Sequence, residues 1–375
     1  MKSVLLLGGS GSIGRQTTQV LNGLRDEFLL VGISLSRDYD YNLSVLNEFK
    51  SIKFCHLREK SELKIYKNKF PNIKFFHSDS GLLKIISSSK FDIVINALPG
   101  FVGFLPTLKI INVGSKLLLA NKESLVVGGE IVNSLLKEKN ASITPIDSEH
   151  QGVYQLLKKK DKSEVDKIII TASGGALRDY KLDDLVNVKA SDVLKHPNWN
   201  MGKYITIDSA TMLNKVYEII EAHFLFGFDY SKIEAFIERT SNIHALTLDY
   251  SGNMDSFSSS NDMKIMIFHA LKDDQFSGNK IELKDYKLLN IDEKLYPLYS
   301  IRYSKLIENP LNRVCLVSAN TISSRLFLEN KISFLDLINI NLEYFNGYYK
   351  GKPNIRNICK LYYKVGKSIN KKYNY

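Results

Sequence analysis

Short apolar runs alternate with helix-like segments through the first 150 residues. SVLLLG, LLVGISL, FDIVINAL (residues 91–98), SKLLLAN (115–121) and ASITPID (141–147) each read as or end a buried strand, and IGRQTTQVLNGL has helical spacing. Strands separated by helical stretches predict a parallel α/β sheet. Further along, DKIIITASGG (166–175) reads as a strand running into a glycine pair, and residues 233–258 are again strand-like. Residues 273–300, with scattered charges and one proline, read as a linker. From residue 301 helical spacing returns. Ile355, Ile358, Tyr362, Val365 and Ile369 recur every three or four residues, with Arg356, Lys360, Lys364, Lys367 and Lys371 on the other side.

The length of 375 residues suits two or three domains. With the pattern it predicts a domain over 1–147, a second over 148–272, a linker over 273–300 and a helical domain over 301–375. No apolar run approaches the ~20 residues that span a bilayer, the N-terminal segment reads as a first strand rather than a signal peptide, and the three cysteines are widely separated. A cytoplasmic protein with no membrane partner is the expectation. The net charge of +11 raises the question of nucleic acid. Residues 301–375 carry 13 basic and 4 acidic residues, so most of the excess falls on that segment. No aromatic platform accompanies it, so a solvated lysine face is expected and no nucleic-acid partner.

Candidate chemistry begins at the first strand. SVLLLG leads into GGSGSIG and then a helix, with Gly8, Gly11 and Gly14 spaced G-x-x-G-x-x-G. Glycines let the backbone approach a pyrophosphate, and the helix N-terminus offers it unpaired N–H groups. Cofactor contacts are therefore expected from Gly8, Ser10, Gly11, Ser12, Ile13 and Gly14. The second strand ends GISLSRDY, without the acidic residue of an NAD site at the usual place. Ser34, Ser36 and Arg37 would suit a 2′-phosphate, which favours NADPH, with Asp38 pointing outward. In PIDSEH, Asp147 and Glu149 are two apart and would share one side of an extended strand end. Glu218 and Glu221 stand at i, i+3 in a helical run. Three hard oxygen ligands suit Mg²⁺ or Mn²⁺, although spacing alone is equally compatible with surface carboxylates.

The strings GSGSIG, GFVGFLPT (100–107), LLANKESLV (118–126), DSEH, TASGG (171–175), HPNWNMG (196–202) and DSATMLNK followed by Glu218 occur together and in order. In this the chain closely resembles the 1-deoxy-D-xylulose 5-phosphate reductoisomerase family, from residue 1 to about 230. The resemblance implies an N-terminal Rossmann-like NADP domain with a parallel sheet, a central α+β catalytic and dimerisation domain, and a C-terminal helical bundle. It implies a homodimer that rearranges and reduces a phosphorylated sugar, using NADPH and Mn²⁺ or Mg²⁺. By resemblance Asp147, Glu149 and Glu218 are the metal ligands. Ser148, Ser173, Ser209, Asn214 and Lys215 match substrate contacts, and Lys122 a lysine beside substrate and nicotinamide. Asn121, Glu123 and Met201 match cofactor contacts. His196 and Trp199 match a lid over the substrate, so the catalytic set is Lys122, Glu149 and His196.

The chain departs from the family at Val216, where a glycine is usual, and in ERTS (238–241), VSANT (317–321) and SSSNDM (258–263). A degenerate homologue that binds NADP(H) without catalysis is the alternative. Retention of every carboxylate, with Lys122, Ser173, His196, Asn214 and Lys215, speaks against it.

Overall fold

A computed structural model of the chain describes residues 1–199, 201–273 and 286–373. In chain order the elements are β1 (Lys2–Leu7), α1 (Ser12–Gly23), β2 (Phe28–Leu35), α2 (Tyr39–Glu48), β3 (Phe54–Leu57), α3 (Leu63–Lys69), β4 (Lys74–His77), α4 (Ser78–Ile86), β5 (Ile93–Asn96), α5 (Phe104–Val113), β6 (Lys116–Leu119), α6 (Glu123–Lys139) and β7 (Ile143–Pro145). There follow α7 (Ser148–Leu157), β8 (Val165–Ala172), α8 (Ala190–Val193), α9 (Lys203–Ala210), α10 (Leu213–Phe226), β9 (Ile233–Ile237), β10 (Ile243–Asp249), β11 (Met254–Ser258), α11 (Met263–Lys272), α12 (Pro310–Leu328), α13 (Phe334–Phe345) and α14 (Ile355–Lys372).

The chain divides into two compact bodies. The first comprises Met1–Ser124, Val132–Asp147 and Asp262–Asp274, and the second the remainder. In the first body seven parallel strands run in the order β4-β3-β2-β1-β5-β6-β7. The chain winds outward from β1 to β4, then returns to place β5 on the other side of β1. That reversal opens a crevice at the carboxyl ends of β1 and β5, where ligands bind in sheets of this kind. The strands are almost continuously apolar because helices cover the sheet, and Val4, Leu6, Ile33, Ile93, Ile95 and Leu118 are at most 1% exposed. The parallel α/β expectation holds. Strands β3 and β4 escaped the sequence reading, since a histidine breaks or ends the short apolar run in each (FCHL, KFFH).

The second body has a mixed sheet ordered β11-β10-β8-β9, with only β8 and β9 parallel. Helix α12 contributes a long buried face, packed by α13 and α14. In α14, Ile358, Val365 and Ile369 are buried and Tyr362 half-buried while Arg356, Lys360, Lys364, Lys367 and Lys371 face solvent, as their spacing predicts; Ile355, in the first turn, is exposed against that expectation. Residues 274–285 of the segment read as a linker lie outside the described residues. The rest of it includes Leu289, bridged to Ile237, and the buried Tyr296 and Tyr299. Among the described residues no helix is long and apolar enough to cross a membrane.

Candidate active site

In the first body the glycine turn sits at the sheet's reversal point. Gly8 has φ +88°, and a Cβ there would run into the Ala97 carbonyl beyond β5. A Cβ on Gly14 would overlap the Gly8 carbonyl oxygen, so α1 starts against the turn only because residue 14 has no side chain. Ser12 and Ile13 open α1, and its N-cap residue, Gly11, has no side chain to satisfy the first-turn N–H groups.

The hydroxyls around the turn have other partners. Ser34 Oγ accepts from Gly8 N (2.7 Å), which corrects its expected place at a 2′-phosphate. Ser10 Oγ accepts from Ser36 N (2.9 Å) and reaches Asn42 Oδ1 (3.1 Å). Ser36 and Arg37 remain at the exposed end of β2, with the Arg37 guanidinium on Glu59 (2.9 Å). Asp38 caps α2 through Tyr41 N (3.1 Å) and pairs with Arg15, which lies over the Tyr41 ring. That capping bond, then Arg15, holds the Asp38 carboxyl below the usual carboxylate range. Arg15 and Glu59 went unnoticed in the sequence, because nothing local marks either as a partner of the β2 end.

Asn121 and Glu123 follow β6. The Asn121 amide donates to the carbonyls of Leu98 and Gly100 (2.8 Å each) and to Glu123 Oε2 (3.0 Å), and its oxygen accepts from Ser124. Glu123 Oε1 accepts from Gly100 N (3.1 Å), and burial pushes its carboxyl upward. Lys122 is 5% exposed, with Nζ on Asp147 Oδ2 at 2.9 Å.

In the second body Glu149 lies in the first turn of α7. The extended strand end expected for Asp147 and Glu149 is therefore wrong. β7 stops at Pro145, and Ser148 opens α7 after a link of only two residues. Glu149 Oε2 accepts from Ser148 Oγ (2.7 Å). Helix α10 brings Asn214, Lys215 and Glu218 to the same place. Lys215 Nζ lies 3.5 Å from Glu149 Oε1 and pairs with Glu218, and Asn214 Nδ2 donates to Glu218 Oε1 (2.5 Å). Glu149 and Glu218 offer oxygens within 4.8 Å of each other. Val216, on the opposite side of α10, is fully buried and leaves Lys215 aimed at these carboxylates. Asp147 is two peptide bonds before Glu149. This donor set, all carboxylate oxygen with an ammonium already neutralising it, fits a hard divalent cation.

Behind it, His150 Nε2 meets the Glu218 carbonyl (2.9 Å) and Nδ1 meets Glu221 (3.3 Å), both side chains buried. Neither partnership was legible in the sequence, because 68 residues separate His150 from Glu218. The buried Asp208 of α9, beside Ser209, accepts from Asn320 of α12 (2.7 Å), so the VSANT segment buttresses the site.

Ser173 follows β8. His196 Nδ1 accepts from Asn198 N (3.2 Å) and Trp199 N (2.9 Å), so the ring proton belongs on Nε2, which donates to Ser173 Oγ (3.0 Å). A Cβ on Gly175 would press on the backbone of Ser209, which places the Ser173 turn against α9. Met201 is half-buried in the segment before α9. Burial, then Arg178, lowers the His196 pKa to about 4. Its folded value lies below its unfolded 6.5, so the unfolded chain holds the extra proton between those limits. The group therefore costs stability only as pH falls through that window. The emission of Trp199, the single tryptophan, should stay constant from neutral pH to about 5 and change near 4. A midpoint near 6.5 would mean that His196 is not held in this way.

Three family models match the chain. One for 1-deoxy-D-xylulose 5-phosphate reductoisomerase covers residues 4–129, one for that enzyme's C-terminal domain covers 143–226, and a second C-terminal domain model covers 258–365. The chain is similar to a 1-deoxy-D-xylulose 5-phosphate reductoisomerase of Clostridium botulinum (strain Loch Maree / Type A3), at 36% identity over 100% of both chains. It is also similar to one of Listeria innocua, at 37% identity over 90% of each. Among solved structures it resembles a DOX-P reductoisomerase in complex with NADPH, fosmidomycin and magnesium, with a TM-score of 0.92 and 28% identity over 100% of this chain and 98% of that one. It resembles the Zymomonas mobilis enzyme in complex with NADPH with a TM-score of 0.88, at 25% identity over 99% of both.

Proposed function

The chain belongs to the 1-deoxy-D-xylulose 5-phosphate reductoisomerase family, and from that membership we propose that it converts 1-deoxy-D-xylulose 5-phosphate to 2-C-methyl-D-erythritol 4-phosphate with NADPH and a divalent cation. The observation that carries this reading is the convergence of Glu149 and Glu218 around Lys215, from helices far apart in sequence. Asp147, Glu149 and Glu218 would hold Mg²⁺ or Mn²⁺. Bound there, the cation supplies Lewis-acid polarisation of the substrate's carbonyl and hydroxyl oxygens, and NADPH supplies the hydride.

The chain's own residues bind, orient and exclude water. Lys122 on Asp147, and Lys215 on Glu149 and Glu218, offset the carboxylate charge, and each would offer substrate oxygens a compact point charge. Ser148, Ser173, Ser209 and Asn214 offer hydroxyl and amide donors to the substrate's hydroxyls and phosphate. At neutral pH His196 is uncharged and presents Nε2–H as a donor, and with Trp199 it covers the substrate. On the first body, the turn from Gly8 to Gly14 takes the pyrophosphate, with Ser36 and Arg37 at the 2′-phosphate and Asn121 and Glu123 shaping the ribose edge. Met201 lies in the covering segment as a nicotinamide contact. Residues 1–147 with α11 form the NADPH-binding part in this reading, 148–261 carry catalysis and dimerisation, and the helices after residue 301 buttress that catalytic part. The enzyme works in the cytoplasm as a homodimer.

Loss of NADPH absorbance on mixing with substrate should require added Mg²⁺ or Mn²⁺. Folded protein without metal-dependent turnover would sink the proposal in favour of a non-catalytic NADP(H) binder. Cofactor choice is tested at Arg37. Freed from Glu59, its guanidinium pairs with the 2′-phosphate, so Arg37→Ala should weaken NADPH about tenfold or more and NADH hardly at all. An equal effect on both would remove Arg37 from that role.

A further inference from the structure

Glu238 closes β9 and is 1% exposed. A buried carboxylate needs partners, and all those described for this one are N–H and O–H groups of the turn leading to β10. It accepts from Thr240 N (2.9 Å) and Thr240 Oγ1 (2.8 Å), from Asn242 N (3.0 Å) and from Ile243 N (3.3 Å). A carboxylate offers only acceptor sites and so suits a ring of donors, whereas an amide of the same shape would turn an NH₂ toward them. Ser241 in this turn has φ +58°, a conformation that a serine holds only when its surroundings impose it.

The turn's other polar groups face the covering segment. Asn198 Nδ2 donates to the Arg239 carbonyl (2.8 Å) and to Ser241 Oγ (2.7 Å), using both amide protons on this one turn. The N–H groups of Asn198 and Trp199 in turn hold His196 Nδ1. Arg178 ties the same Arg239 carbonyl (3.0 Å) to that of Ser173 (3.1 Å). Hydrogen bonds at each end, joined by the covalent backbone of the 239–243 turn, therefore connect the Glu238 carboxylate through Asn198 to His196.

We propose that Glu238 is a positioning residue for the segment bearing His196 and Trp199: its carboxylate folds the turn that receives Asn198, and so fixes where the imidazole and indole stand. It touches neither substrate nor cofactor. The proposal rests on the reading of His196 and Trp199 as the cover over the substrate.

The test uses the full-length enzyme and the emission of its single tryptophan, excited selectively and without substrate, beside steady-state kinetics. Glu238→Gln should shift Trp199 emission to longer wavelength and raise the KM for the sugar phosphate about tenfold, the size expected for a lost charge-assisted hydrogen bond, with kcat changing less. Asn198→Ala should do the same from the other end. The double variant should be no worse than the worse single, because both break one connection. Unchanged emission and KM in a folded Glu238→Gln enzyme would overturn the proposal, as would additive effects in the double variant, even if the melting temperature fell. Should Glu238→Gln not fold, Ser241→Ala removes only the hydroxyl facing Asn198 and is read by the same criteria. Coupled shifts in emission with KM unmoved throughout would uphold the positioning and overturn the lid reading instead.

Discussion

Glu149→Gln should lower metal-dependent turnover by roughly a thousandfold, a change of several kcal/mol at the transition state, while NADPH affinity stays within about twofold of the parent. The substitution keeps the shape of the side chain and removes one of the anionic oxygens beside Glu218. The remaining carboxylates would then hold a divalent ion less tightly, while the pairing of Lys215 with Glu218 stays. The proposed pyrophosphate and ribose contacts belong to the first body, where nothing changes. Thermal stability should move little, since the Glu149 side chain is 15% exposed and can be solvated. Activity at several Mg²⁺ concentrations, with NADPH binding measured separately, checks all three expectations. Parallel loss of turnover and NADPH affinity would contradict the assignment of Glu149 as a metal ligand.

Arg313→Ala should have the largest effect on stability. Arg313 lies in α12 with no exposed side-chain surface and spends its whole guanidinium on the second body. Nε donates to the Val126 carbonyl and Nη1 to the Ile307 carbonyl, at 2.7 Å each. Nη2 pairs with both oxygens of Glu130, and the group lies over the Phe224 ring of α10. The Val126 carbonyl needs this donor because α6 is kinked at Gly128, which interrupts the helical ladder there. Alanine would leave two buried carbonyls unpaired and open a cavity beneath Phe224. The ion-pair share is discounted, because Glu130 is 42% exposed and can turn to water. A cost of about 3 kcal/mol remains, or roughly 6–12 °C in melting temperature. Arg313→Lys should fall between the two. A loss under about 1 kcal/mol would show that water replaces the guanidinium at those carbonyls.

The Rossmann-like half was readable because its physics is local. β1, β2, β5 and β6 each carry a run of at least three consecutive apolar residues, and the GGSGSIG turn has glycines where a Cβ would strike the Ala97 carbonyl or the turn itself. The lysine face of α14 was readable for the same reason, since amphipathic spacing marks a helix with one side in solvent. Asp147 and Glu149 were recognised as a pair for the wrong reason. Proximity along the chain suggested a strand, whereas the end of β7 at Pro145 puts Glu149 on a helix.

The sequence by itself determined that β1, β2, β5, β6 and β7 alternate with helices in the first 150 residues, the glycine turn after β1 and, through its assembled motifs, the family. Those features depend on residues within one element or one turn. Only the tertiary structure decided which charges meet. Glu218 reaches Glu149 because α10 packs beside α7, with Lys215 between them. Ser34 serves the glycine turn rather than a phosphate, Arg37 lies on Glu59, and Arg313 spans 187 residues to close a kinked helix. Hydrogen bonds and ion pairs act over about 3 Å, so their partners are chosen by packing, which spacing along the chain does not encode.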